Sequence, residues 1–100
     1  MEKESEKLIE AKLRDEIKKR DGIALKLLSQ FHRGLPDRIV LLPRGRVFFV
    51  ETKSTGRTPT LLQRKSHQTL RALGFHVWVV DSTEKVEHLM QLLDFEEAGL

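Results

Sequence analysis

The chain has 100 residues, 39% of them apolar and 33% charged, and 18 basic against 15 acidic residues give a formal net charge of +3 with the histidines neutral. That length fits one domain over residues 1–100, with a core small enough that oligomerisation would help stability. The lack of cysteine excludes disulfides, thiolate chemistry and sulfur-ligated zinc, and no sustained apolar stretch reads as a signal peptide or membrane span, so cytoplasm is the default location.

Glu2 to Arg20 is rich in helix formers, and Ile9, Leu13 and Ile17 recur every four residues as one apolar stripe that Asp21-Gly22 ends. Glu6 lies two turns before Leu13 and shares the stripe's angular sector, where a carboxylate needs a reason. Ala24 to Leu28 suits a short strand, and Gln30 to Asp37 reads as a loop because Gly34 and Pro36 interrupt any regular pattern. A second strand is expected over Arg38 to Leu42. Pro43, Arg44, Gly45 and Arg46 then turn the chain into Val47 to Lys53, a strongly β-forming segment antiparallel to it.

Thr58 followed by Pro59 suits the start of a helix that runs to about Leu73 and buries Leu62, Ser66, Leu70 and Leu73. Gly74 stops it, and Phe75 to Val80 supplies another strand. Asp81, with Glu84 as reciprocal partner, caps a last helix that turns Val86, Leu89, Met90 and Leu93 inward. The predicted order is α-β-β-β-α-β-α, an α/β fold whose mixed sheet is flanked by helices.

Asp37 stands at the mouth of one predicted strand and Glu51 near the end of the next, so an antiparallel hairpin can bring the two carboxylates together. Glu51 and Lys53, two residues apart, share a face. Taken singly, Asp37 would serve as a loop cap and the other two as members of surface salt bridges. Taken jointly, they follow the apolar run Val47, Phe48, Phe49 and Val50, which carries their charges into a half-buried cleft. Carboxylates crowded in that way need a hard cation, and magnesium favours oxygen ligands. Such an ion polarises a phosphate and acidifies its water, while Lys53 positions that water or stabilises developing charge. Glu6 is a candidate third acidic ligand.

Gly34-Leu35-Pro36-Asp37, Glu51-Thr52-Lys53 and Gln63 resemble, in order, the motifs of the virus-type replication-repair nuclease family, VRR-NUC, within the PD-(D/E)xK superfamily. The resemblance runs from Glu6 to the Gly74-to-Val80 strand. It implies a restriction-endonuclease-like fold and hydrolysis of DNA phosphodiester bonds with magnesium, for which manganese would substitute. It places the metal-binding aspartate on Asp37, the glutamate on Glu51, the lysine on Lys53 and a catalytic glutamine on Gln63. The N-terminal acidic ligand falls on Glu6 or Glu10, and ideal helical spacing favours Glu6. Thr52 is more polar than the aliphatic residue common there, and the resemblance makes its backbone carbonyl a metal ligand. Stand-alone members further imply a homodimer acting on four-way (Holliday) junctions or other branched DNA.

Arg33, Arg38, Arg44, Arg46, Arg57, Arg64, Lys65 and Arg71 are candidate phosphate contacts, and no base-reading array accompanies them. DNA shape is therefore the expected determinant, with binding that weakens as salt rises. Lys26 is a further cation that the first strand could project beside the site. His32, His67, His76 and His88 lack compact metal-ligand spacing and read as structural or surface residues. The alternatives are a DNA-structure-binding module without efficient cleavage and a structural protein-interaction domain.

Overall fold

Ser5 accepts the Leu8 N–H on its hydroxyl at 3.1 Å and so opens the first helix. In the computed structural model, which describes residues 2–29 and 32–97, α1 accordingly spans Glu6–Lys19 and does not begin at Glu2. The segment before it is held elsewhere: Glu4 accepts from the Thr83 N–H and hydroxyl at 2.8 and 2.6 Å, and its own N–H donates to Thr55 Oγ1. Ile9, Leu13 and Ile17 are fully buried, each contributing roughly 1.5–3 kcal/mol by area burial. Glu6 departs from the stripe's burial and is exposed, because the stripe ends at Ile9, one turn further into the helix.

The chain continues through β1 (Ile23–Lys26), β2 (Arg38–Leu42), a 3-10 turn at Pro43–Gly45, β3 (Arg46–Thr52), α2 (Leu61–Ala72), β4 (Val77–Val80) and α3 (Thr83–Glu97). Gln30 and Phe31 of the expected loop lie outside the described residues. The predicted element order is the observed one. The sheet runs β1-β2-β3-β4, antiparallel across the first two pairings and parallel across the last. Among the described residues, no helix is long and apolar enough to cross a membrane.

Strand alternation divides the sheet into two faces. Ala24, Val40, Leu42, Phe48, Val50 and Val80 join the stripe of α1 and Val86, Leu89, Met90 and Leu93 of α3 in one core. The four α3 positions are those the periodicity predicts. The opposite face carries Ile39, Leu41, Val47, Phe49 and Glu51, with α2 on this side.

Two helix caps and one helix face differ from expectation. Thr60, not Thr58, caps α2: its hydroxyl accepts the Gln63 N–H at 3.2 Å and Gln63 Oε1 accepts the Thr60 N–H at 2.9 Å. Only this register puts a reciprocating side chain three residues on, since Thr58 would face Leu61. Ser82 opens α3 by accepting the Lys85 N–H, while Asp81 accepts the Gly56 N–H and pairs with Lys85. The buried residues of α2 are Ser66 and His67, whereas Leu62 and Leu73 are 48% and 69% exposed. The helix faces a polar cluster instead of an apolar core.

Candidate active site

Antiparallel pairing of Arg38 with Val50 places Asp37, one residue before β2, opposite Glu51 on β3. Opposed side chains in such a ladder stand about 4.5–5.5 Å apart at Cβ, so the register itself brings the two carboxylates together. Asp37 is anchored by Thr52, whose N–H and hydroxyl both lie 2.9 Å from Asp37 Oδ2. The same hydroxyl is 3.1 Å from Glu10 Oε1, and its single proton serves one acceptor at a time. Thr52 points to the α1 face, away from Glu51 and Lys53.

Glu51 is fully buried. Burial first, and then the neighbouring Asp37 carboxylate, push its pKa up to about 8, against the opposing charge of Lys53. Gln63 Nε2 donates to Glu51 Oε2 at 3.0 Å, and Lys53 Nζ stands 3.4 Å from the same oxygen. Glu51 Oε1 has no hydrogen-bond partner among the described residues. An orphaned buried carboxylate oxygen beside a second carboxylate is an arrangement that a hard divalent cation would satisfy, so the donor set fits magnesium. Among the described residues, no three His, Asp or Glu side chains converge into a ready cage. The candidate side-chain donors at the centre are therefore a pair, Asp37 and Glu51.

The acidic residues of α1 divide. Glu10 is half-buried and pairs with Arg38 at 3.4 Å in addition to Thr52, which ties it to the network behind Asp37. Glu6 is exposed and lines an open groove of about 300 Å3 with Lys53, Ser54, Arg57, Thr58 and Thr60. Partial desolvation raises its pKa, the charges of Asp37 and Glu10 add to the rise, and those of Lys53 and Lys26 oppose it. Both acids thus flank Asp37, Glu10 in contact with its network and Glu6 from the groove.

The loop before Asp37 is locked onto α2. Gly34 has φ +83°, and a Cβ there would come within 2.7 Å of the Leu62 carbonyl oxygen. Only glycine allows both that conformation and that approach. One contact consequently positions the segment leading to Asp37 and the start of the helix bearing Gln63.

The basic residues named as candidate phosphate contacts fall in different places. Arg57 lines the groove. Arg38 is buried, donating to the Ala24 carbonyl and pairing with Glu10, which withdraws it from the expected phosphate contacts. Arg44 and Arg46 pair with Glu97 beside the β2–β3 turn, at the far end of the strands from Asp37 and Glu51. His67, which the sequence reads as a structural or surface residue, is buried beside Glu51. Its Nε2 lies 3.5 Å from Glu51 Oε1, and burial, with the charge of Arg71 adding, lowers its pKa. The available signal was its position four residues after Gln63, on the same helix face.

The chain is similar to known proteins. A phage protein described as "Putative nuclease p44", from Acyrthosiphon pisum secondary endosymbiont phage 1, is 47% identical over 76 residues, which are 76% of this chain and 82% of that protein. A solved structure of a VRR_NUC domain superposes with a TM-score of 0.82 at 29% identity, covering 88% of this chain and 97% of its own. No family model matches the chain.

Proposed function

Because the chain belongs to the VRR-NUC family, within the PD-(D/E)xK nuclease superfamily, we propose that it is a magnesium-dependent DNA endonuclease acting on four-way junctions or other branched DNA. The observation that carries this reading is the meeting of Asp37 and Glu51 at the strand ends, with Lys53 3.4 Å from Glu51. Asp37, Glu51 and the Thr52 carbonyl would hold the cation, and Glu6 adds negative charge from the groove. Magnesium held there, replaceable by manganese, polarises the scissile phosphate and lowers the pKa of a bound water.

The chain's own residues do the remaining work. Thr52 fixes the carboxylate of Asp37 through two donors, and Gln63 fixes that of Glu51. Lys53, half-buried at the groove, positions the attacking water and, through its positive charge, stabilises negative charge developing on the phosphate oxygens. Arg57 at the groove's edge supplies a backbone phosphate contact. A contact of that kind carries no sequence information, which favours recognition of DNA shape.

A homodimer would set two such sites on opposite strands of one junction. The sheet offers a surface for it: Ile23 and Leu25 of β1 pair with Leu41 and Ile39 of β2 on the face away from α1 and α3, and they are 51% and 42% exposed.

The test is cleavage of end-labelled four-way, three-way and linear duplex DNA with magnesium, manganese or EDTA, alongside Glu51→Gln and Lys53→Met. Metal-dependent cutting of branched DNA is expected from the wild type. Glu51→Gln should lose both manganese binding and cutting while still binding junctions, and Lys53→Met should lose turnover with manganese binding kept. A folded Glu51→Gln protein with normal magnesium-dependent turnover would overturn the ligand assignment, and junction binding without cleavage by the wild type would leave a DNA-binding module.

A further inference from the structure

The side chain of Glu51 meets α2 at two points. Gln63 Nε2 donates to Oε2 at 3.0 Å, and one helical turn later His67 Nε2 stands 3.5 Å from Oε1. Glu51 is 0% and His67 1% exposed, and neither Glu51 Oε1 nor His67 Nε2 has another hydrogen-bond partner among the described residues. Buried polar atoms are almost always paired, so these two atoms are natural partners, and the second lone pair of Oε1 stays open to a cation. Their separation exceeds a usual N–H···O bond by about half an ångström, a gap that a small rotation of either side chain closes. Active-site hydrogen bonds are commonly long until the ligand is bound.

We propose that His67 is a positioning residue whose Nε2–H, together with the amide of Gln63, clamps both oxygens of Glu51 in the orientation that accepts the divalent cation. The proposal rests on the nuclease reading and adds to it a residue outside the Asp-Glu-Lys constellation. Positions four apart on α2 face the same way and rise about 6 Å along the axis, so one rigid helix addresses the whole carboxylate. The rotamer of Glu51 is then set by how α2 docks, before any cation arrives. A neutral imidazole suits the task because it supplies a donor without a second positive charge beside Lys53, which would compete with the cation.

The experiment compares wild type, His67→Leu and His67→Gln for manganese affinity by calorimetry, a readout that needs no turnover, with Glu51→Gln as control and thermal melts to establish folding. Removing an outer donor to a metal ligand typically weakens metal binding about 10- to 100-fold, and His67→Leu should fall in that range. His67→Gln keeps an N–H donor at similar reach and should recover most of the affinity. A folded His67→Leu protein with wild-type affinity, or a His67→Gln protein as impaired as His67→Leu, overturns the proposal and leaves the nuclease reading intact. Normal manganese binding by Glu51→Gln instead sinks the nuclease site itself. Should His67→Leu fail to fold, nitrogen NMR of the wild-type imidazoles in saturating magnesium decides: a proton on His67 Nε2 is expected, and a bare Nε2 with the proton on Nδ1 overturns the proposal.

Discussion

The side-chain amide of Gln63 donates from Nε2 to Glu51 Oε2 across 3.0 Å. Its other end, Oε1, accepts the Thr60 N–H that begins α2. One side chain therefore joins a helix cap to the site, and the cap fixes which way the amide points.

Gln63→Glu separates the two roles. A glutamate still accepts from Thr60 and suits the helix N-terminus, so the cap survives. It cannot donate to Glu51, and it adds a third carboxylate to a crowded pair. A lost hydrogen bond to a charged group is worth about 1.5–3 kcal/mol, so single-turnover cleavage should fall by at least tenfold while the melting temperature stays within a few degrees. Unchanged cleavage would show that the Gln63 contact is dispensable.

Gly34→Ala should damage the site from a distance. The substitution meets both a left-handed backbone and the Leu62 carbonyl. The strain alone is on the order of 1–3 kcal/mol, and relief must shift either the segment before Asp37 or the start of α2. Gly56→Ala is the control, with φ +86° and open space around its Cβ. Urea melts should show both variants destabilised, and calorimetry should show weakened manganese binding in Gly34→Ala alone. Equal manganese affinity in the two would disprove the coupling.

Much of this was legible in the sequence because it is written in local periodicity. The stripe Ile9-Leu13-Ile17, the inward positions of α3 and the order of elements along the chain need only helical and strand spacing. The opposition of Asp37 and Glu51 follows from a short antiparallel hairpin, which the Pro43-Arg44-Gly45 turn announces. What the sequence hid depends on contacts between distant elements. The buried face of α2 is only partly that of the periodicity: Ser66 is buried as expected, but Leu62 and Leu73 are exposed, and Gln63 and His67 turn toward the Glu51 carboxyl group. The spacing of His67 four residues after Gln63 puts the two on one helix face, but their common neighbour Glu51 becomes visible only once α2 is docked on the sheet. Arg38 looked like a phosphate contact until the structure paired it with Glu10 from α1.

Assembly can be tested on the uncovered sheet face. Leu25, 42% exposed on an edge strand, lies on the side of β1 away from the α1–α3 core. Leu25→Glu should leave the monomer folded and convert a light-scattering dimer into a monomer, because burying an unpaired carboxylate in an apolar interface is costly. Paired incision of a four-way junction should then give way to single nicks. A wild-type protein that is monomeric and fully active at the same concentration would refute the dimer.

The metal-free protein should lose stability as pH rises, and Glu51 sets the direction. Burial, then the charge of Asp37, raise its pKa from an ordinary 4.5 to about 8, so the folded chain holds a proton that the unfolded chain releases. A group raised in the folded state contributes stability that is fully present below its unfolded pKa and disappears as pH climbs to its folded one. In EDTA, the unfolding free energy of the wild type should decline between about pH 5 and pH 8 by an amount on the order of a few kcal/mol. Glu51→Gln has no proton to lose there. It should show a flatter profile and exceed the wild type in stability at pH 8, even though it cannot bind the cation. Saturating magnesium favours the ionised carboxylate and should reverse that ranking, with proton release on binding below about pH 8 detectable as a buffer-dependent calorimetric heat. Urea melts at matched pH values with EDTA or magnesium read all of this. Parallel pH profiles for wild type and Glu51→Gln in EDTA would mean that Glu51 titrates normally, and the buried, carboxylate-facing environment assigned to it would be wrong.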